Sequence, residues 1–309
     1  MKFIVTGGFG FIGSHIVKLL LQKGHTVDII DNFHTGKKEN LKDDINKINF
    51  FDVDIRNKLD LKKILKNYDG IFHEAALTAV PESFEKPQEY QEVNVIGTKN
   101  IFEIALDEKI RVVYASSSSI YGNTESIPIK EDAKKNPINP YGQTKVDDEK
   151  IAEEFSKNNL SVIGLRYFNV YGMGQTGSYA GVITKFLENI KNKKPFIVNG
   201  EGNQIRDFIH VEDIARANLA AMESKIKNGF FNVGTGIPTS INDLAKLMIE
   251  ISHHERKITH GPTLEGDVKI SQANMDLTKN SLNWEHKIEL NEGLKELIKN
   301  YLSASRTEL

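Results

Sequence analysis

Tyr141 and Lys145 lie four residues apart in "NPYGQTK", at the start of a stretch with helical character. Side chains at that spacing share one helix face. An ammonium beside a phenol favours the phenolate, so such a pair can act as a base near neutral pH. Taken alone, Y-x-x-x-K more often means an exposed tyrosine and a solvated lysine. A second candidate is "VVYASSSSIYG" (112–122), four serines between an apolar run and Tyr-Gly. Serine runs usually mark flexible connectors. A run that closes a buried strand would instead present hydroxyls at the strand end, and the residues alone do not say which one acts. The third is "VTGGFGFIGSH" (5–15), where glycines 8, 10 and 13 fit G-x-G-x-x-G and glycines 7, 10 and 13 fit G-x-x-G-x-x-G. Such a loop lets backbone approach a pyrophosphate, and the following helix offers it free N–H groups. Asp31 ends the next apolar run, 21 residues past Gly10. A carboxylate there accepts hydrogen bonds from ribose hydroxyls and repels a 2′-phosphate, which favours NAD over NADP.

These residues need a scaffold, and the pattern supplies one. Short apolar runs at 2–6, 26–31, 48–54 and 111–117 read as strands, and 70–76 and 161–172 as strands with their exit loops. Amphipathic stretches at 11–24, 60–67, 88–107 and 142–158 read as helices between them. Strands apolar on both faces, alternating with helices, predict an α/β fold with a doubly wound parallel sheet. The second half mixes short strands ("PFIVNG", "FFNVG") with helices near 181–192, 211–223 and 240–251. We expect a boundary near residue 170, giving 1–170 and 171–309, with elements crossing it.

Composition narrows the function classes. The chain has 309 residues and a net charge of −2 from 40 basic and 42 acidic side chains, which suggests neither nucleic acid nor an anionic membrane as its main partner. It has no cysteine, which excludes disulfides, thiolate nucleophiles and Cys-based zinc sites. No segment has the roughly 20 apolar residues that span a bilayer, and the amino terminus lacks a signal-peptide pattern. The expectation is a cytoplasmic protein. His73, His210, His253 and His254 lack metal-ligand spacing and read as structural or solvated.

Ten segments then occur in a familiar order: "TGGFGFIGSH", "DNFHTGKKEN", "DIR" (54–56), "HEAA" (73–76), "NVIGT" (94–98), "SSSSIYG", "YGQTK", "RYFNVYG" (166–172), "RDFIHVEDIA" (206–215) and "EGDV" (265–268). With them the chain resembles the extended short-chain dehydrogenases/reductases of the NAD-dependent epimerase/dehydratase group, over nearly its whole length. The resemblance implies a Rossmann domain followed by a smaller nucleotide-sugar domain. It implies NAD as cofactor, a UDP-sugar as substrate, and a homodimer in which part of the 142–158 helix pairs with the 88–107 helix.

Roles carry over from the resemblance one residue at a time. The working hydroxyl lies four residues before Tyr121, which is Ser117. It would hydrogen-bond the sugar 4-OH and pass its proton to Tyr141, with Lys145 beside them, while Ser116 is a cofactor-side neighbour. Gly7, Gly10, Phe11, Ile12 and Gly13 would hold the pyrophosphate end. Asp31 and Asn32 would meet the adenosine ribose, and Asp54 and Ile55 the adenine. Ala75, Ala76 and Asn94 are implied on the cofactor side, Tyr167 and Phe168 at the nicotinamide end, Asn169 and Arg206 at the substrate diphosphate. Ser271, the fifth residue after Gly266, matches a position that faces the sugar's 2-substituent, and its small size would admit an N-acetyl group.

Two departures touch substrate binding. Leu264 stands where an arginine is frequent, and Asn199 where an aromatic residue is frequent. Ser118 and Ser119 replace the Asp-Glu pair of the 4,6-dehydratases, and a hydroxyl cannot do the acid and base work of elimination. The resulting expectation is a UDP-sugar 4-epimerase, for glucose/galactose and their N-acetylated forms, without metal. A related dehydratase or reductase, or a non-catalytic NAD-binding regulator, remain as alternatives.

Overall fold

The computed structural model describes residues 1–175, 181–255, 257–263 and 266–304. In chain order come β1 (Lys2–Thr6), α1 (Phe11–Gln22), β2 (Thr26–Asp31), β3 (Asn49–Asp52), α2 (Lys58–Ile64), β4 (Gly70–His73), α3 (Val80–Glu85) and α4 (Pro87–Tyr90). A π-helical segment (Gln91–Ile96) joins α4 to α5 (Gly97–Glu108). Next are β5 (Arg111–Ser117), α6 (Pro140–Lys157), β6 (Val162–Tyr167), β7 (Asn169–Tyr171), α7 (Val182–Lys191), β8 (Phe196–Asn199), β9 (Ile205–Arg206) and β10 (Phe208–His210). The chain continues through α8 (Val211–Glu223), β11 (Asn228–Val233), β12 (Thr239–Ser240), α9 (Ile241–Ser252), β13 (Ile258–Gly261), α10 (Asp276–Leu282) and α11 (Leu290–Ala304).

Seven of these strands form one parallel sheet in the order β11-β6-β5-β4-β1-β2-β3. Phe3, Ile4, Val5 and Thr6 of β1 are all fully buried, as a central strand covered by helices on both faces requires. One cluster, with Ile16, Val17 and Leu20 of α1, lies on one face of the sheet. The other, with Ile101, Phe102 and Ala105 of α5, lies on the opposite face. Strand order reverses between β1 and β4, and a crevice opens there at the carboxyl ends of the strands.

Elements from either side of residue 170 interleave. β7 leaves the central sheet and pairs with β10, α8 then packs on α1, and β11 returns to the sheet beside β6. A third cluster, built from α7, α9, α11 and β8, holds the remaining carboxy-terminal elements together.

The helix expected at 88–107 is continuous in path but carries the π-helical turn at 91–96. That turn swings Asn94 into the interior, where it is fully buried. Its amide accepts from Leu77 N at 2.8 Å and donates to Leu77 O at 2.9 Å and Thr144 Oγ1 at 3.1 Å. The 142–158 segment is α6, and it packs on the π-helical turn and α5 of the same chain. Among the described residues no helix is long and apolar enough to cross a membrane.

Candidate active site

The crevice is a cleft of about 490 Å³. The turn after β1 forms one wall. Gly7 adopts φ +66°, and a side chain on Gly13 would collide with the carbonyl of Gly7. Glycine at both places lets α1 begin against the turn, with its first N–H groups facing the cleft. No side chain caps this helix, so its positive end is left for an anion. Gly7, Gly10, Phe11, Ile12 and Gly13 all line the cleft.

At the far end lie Asp31, Asn32, Asp54 and Ile55. Asp31 accepts from Phe9 N at 2.9 Å and Phe33 N at 2.8 Å. Burial, aided by nearby Asp52, still holds its carboxyl above the usual range. Asn32 Nδ2 donates to Asp54 Oδ2 at 3.1 Å, and Arg56 forks onto the same carboxylate at 3.0 and 2.7 Å. The Arg56 guanidinium keeps Asp54 below the usual carboxylate range.

The serine run is no floppy connector. β5 ends at Ser117, whose extended backbone (φ −150°, ψ 147°) opens a short 3₁₀ turn at Ser118–Ile120. Ser117 Oγ accepts from Ser119 N and donates to Ser119 Oγ, both at 3.1 Å. Ser116 borders the cleft too, but its hydroxyl is spent on Glu149 Oε1 at 2.7 Å. Glu149 also takes Arg166 Nε and Nη2, both at 2.8 Å, and Lys135 Nζ at 2.7 Å. This buried cluster ties β5, β6 and α6 together behind Ser117.

α6 brings up the other candidates. Asn139 caps it by accepting from Gly142 N at 2.7 Å, and Pro140 starts it. A Cβ on Gly142 would lie 2.7 Å from Ser119 O, so glycine lets this helix end press against the serine turn. Tyr141 and Lys145 then line the cleft together with Ser117. Lys145 Nζ donates to Ala115 O at 3.0 Å and Asp148 Oδ2 at 3.2 Å. Burial pulls its pKa down, but Asp148, Tyr141 and Glu74 outweigh it, so Lys145 sits above its ordinary value as a cation.

Ala75, Ala76, Tyr167, Phe168, Asn169, Arg206 and Ser271 also line the cleft. Arg206 pairs with Asp267 and donates to Ile205 O at 2.7 Å. One expected cleft position lies elsewhere. Asn94 faces the interior and grips Leu77 rather than the cleft. Asn199 ends β8 outside the described lining. Leu264 lies outside the described residues.

Sequence reasoning passed over Glu74, although "HEAA" puts a charge at the end of an apolar strand. Its carboxylate lines the cleft and accepts from Tyr167 Oη at 3.0 Å, which in turn accepts from Asn218 Nδ2 at 2.7 Å. The side chain is only half-buried by area, but its open side faces the cleft, and the enclosure pushes its pKa up to about 8. His73, between Thr6 Oγ1 at 2.7 Å and Thr98 Oγ1 at 2.9 Å, is pushed down to about 3 by burial. It is a neutral core histidine. Among the described residues no group of three or more His, Asp or Glu could hold a metal ion.

Comparison with known proteins gives this geometry a context. Residues 3–234 match the model of the NAD dependent epimerase/dehydratase family. A putative UDP-glucose 4-epimerase of Methanocaldococcus jannaschii is 39% identical, covering 98% of this chain and 99% of its own. A UDP-N-acetyl-alpha-D-glucosaminuronate decarboxylase of Bacillus cytotoxicus is 33% identical, covering 96% of each chain. The structure of a UDP-N-acetylglucosamine 4-epimerase from Methanobrevibacter ruminantium, in complex with UDP-N-acetylmuramic acid, superposes with a TM-score of 0.94 at 34% identity over 98% of each chain.

Proposed function

From the premise that the chain belongs to the NAD-dependent epimerase/dehydratase family, we propose that it inverts C4 of a UDP-hexose. The observation that carries this reading is Ser117, Tyr141 and Lys145 converging on one cleft, with Ser118 and Ser119 rather than a carboxyl pair following Ser117 in the turn. That set can move a proton at a sugar hydroxyl. It lacks the adjacent carboxyl pair that elimination needs.

The cleft fits a dinucleotide. Its glycine turn leaves no room for a Cβ at Gly13 and aims an uncapped helix end at the pyrophosphate position. Gly7, Gly10, Phe11, Ile12 and Gly13 would hold the diphosphate, Asp31 and Asn32 the ribose, and Asp54 and Ile55 the adenine. Ala75, Ala76, Ser116, Tyr167 and Phe168 would enclose the nicotinamide end, while Asn94 supports it from behind through Leu77. When bound, NAD supplies the site that accepts a hydride from C4 and returns it.

The chain's own residues do the rest. Ser117 Oγ hydrogen-bonds the 4-OH and relays its proton to Tyr141 Oη. The Lys145 ammonium keeps the phenolate accessible. Asn169 and Arg206 grip the substrate diphosphate, Arg206 exchanging Asp267 for phosphate oxygens. The sugar must present both faces of C4, so the diphosphate anchor carries the binding while the hexose turns.

Incubation of the pure protein with UDP-Gal and UDP-GalNAc tests this. We expect UDP-Glc and UDP-GlcNAc, and loss of neither sugar carbon nor water. The similarity to a decarboxylase favours a second reading, in which a UDP-hexuronate is oxidised at C4 and loses its carboxylate. Carbon dioxide release from UDP-glucuronate, with no inversion of UDP-Gal, would replace the first reading by the second. A homodimer belongs to the proposal as well, and light scattering reads it directly.

The Asp31 assignment makes its own prediction. Dinucleotide released by denaturing the purified protein is expected to be NAD, because a 2′-phosphate would meet this buried carboxylate. Recovery of mainly NADP would remove Asp31 from that role.

A further inference from the structure

We propose that Asp148 is a positioning residue of this reaction: it holds the Lys145 ammonium and sets the net charge felt by the Tyr141 phenol. The inference rests on the epimerase reading above. Its geometric basis is the contrast between two adjacent buried carboxylates on α6. Glu149 is fully buried and has partners on both oxygens, from Arg166, Ser116 and Lys135. It does structural work and is satisfied. Asp148 is also fully buried, yet only Oδ2 is engaged, with Lys145 Nζ at 3.2 Å. Among the described residues its Oδ1 has no hydrogen-bond partner.

A half-satisfied buried carboxylate is costly to desolvate, and its removal would leave the buried Lys145 ammonium without a counter-ion, so its place here answers to Lys145. Its one partner is the lysine that lines the cleft beside Tyr141. The groups facing the pair are few. From α6 come Tyr141, Asp147 and Glu149; from β4 and its exit, His73 and Glu74; from β5, Tyr114, with Arg166 of β6 beyond it. His73 is neutral and Tyr114 is held well above its ordinary value by burial. Burial pushes Asp148 up and Lys145 pulls it only part of the way back, leaving its carboxyl at about 7. Asp148 is thus the only direct counter-ion of Lys145 among the described residues, and without it the ammonium acts on Tyr141 undiluted.

The sign follows. Removing an anion beside Lys145 favours phenolate at Tyr141 and makes Lys145 easier to deprotonate. In Asp148→Asn both limbs of the kcat/KM profile should move to lower pH, the acid limb by about one unit. Asp148→Glu, which restores the charge, should return the limbs towards the original profile. Asp148→Ser, whose hydroxyl can still accept from Lys145, serves as the neutral variant if the amide does not fold. An ultraviolet titration of the Tyr141 phenolate, with Tyr141→Phe as the blank, reads the same shift without any sugar substrate. Should the enzyme fail to invert UDP-sugars, this titration still decides the matter. Unmoved limbs, or an unmoved phenolate titration, in a folded neutral variant would overturn the proposal and leave Asp148 a packing residue.

Discussion

Tyr141→Phe is expected to lower turnover by roughly 10²- to 10⁴-fold while folding and dinucleotide binding stay near those of the unaltered chain. The ring is half-buried at the start of α6 and lines the cleft with Ser117 and Lys145. Phenylalanine keeps that packing and removes only the proton acceptor. Helix placement should not change either, because the first turn is held by Asn139 at its cap and by Thr144 Oγ1, which donates to Tyr141 O at 2.7 Å. The loss should therefore fall on kcat rather than KM, as it does when an interaction made only in the transition state is removed. Single-turnover measurement with cofactor-loaded protein checks this. Near-normal turnover in the variant would remove Tyr141 from the chemistry and hand the base role to another cleft group, of which Glu74 is the obvious one.

The Rossmann half was legible because its signals are local. The glycine turn, Asp31 at a strand end and Tyr141 four residues before Lys145 are each set by spacing within one or two elements. The return of β11 to the central sheet was not legible. "FFNVG" is a short apolar run like several others, and nothing in it says that Phe230 pairs with Gly164 rather than with a strand of its own half. Strand partnership across that distance is decided by packing of the whole sheet. The same holds for Asn94. Its place in "NVIGT" suggested the cofactor side, whereas one π-helical turn rotates it into the interior, and a periodicity of 3.6 residues cannot forecast such a turn.

The supporting shell was also hidden, for a related reason. "KVDDEK" reads as an exposed charged helix face, yet Asp148 and Glu149 are fully buried. What overrides the composition is Arg166, itself 2% exposed, arriving from β6 to meet Glu149. Buried charges come in partnered sets, and the partner lies in an element that sequence spacing cannot link to α6. Glu74 was missed by the opposite error, since a lone charge after an apolar strand resembles an ordinary strand exit.

Ser271→Tyr is expected to cut turnover of UDP-GlcNAc and UDP-GalNAc by roughly 10²-fold or more while UDP-Glc and UDP-Gal turnover is retained. Ser271 is buried, lines the cleft and is fixed by its backbone, N donating to Ile205 O at 3.0 Å. The preceding residue, Ile270, bridges Ile205, the neighbour of Arg206, the proposed diphosphate grip. Ser271 and Arg206 line the same cleft. A phenol ring there has nowhere to withdraw, because the backbone is bridged on that side and a packed wall cannot absorb several extra heavy atoms without strain. A plain 2-hydroxyl asks for less room than an N-acetyl group, so the two substrate classes should separate. Parallel kcat/KM measurements on the four sugars provide the check, with diphosphate affinity measured by UDP binding to show that the Arg206 anchor is intact. If the unaltered chain ignores N-acetylated sugars, or if the variant loses both classes equally with UDP binding preserved, Ser271 does not gate the 2-substituent.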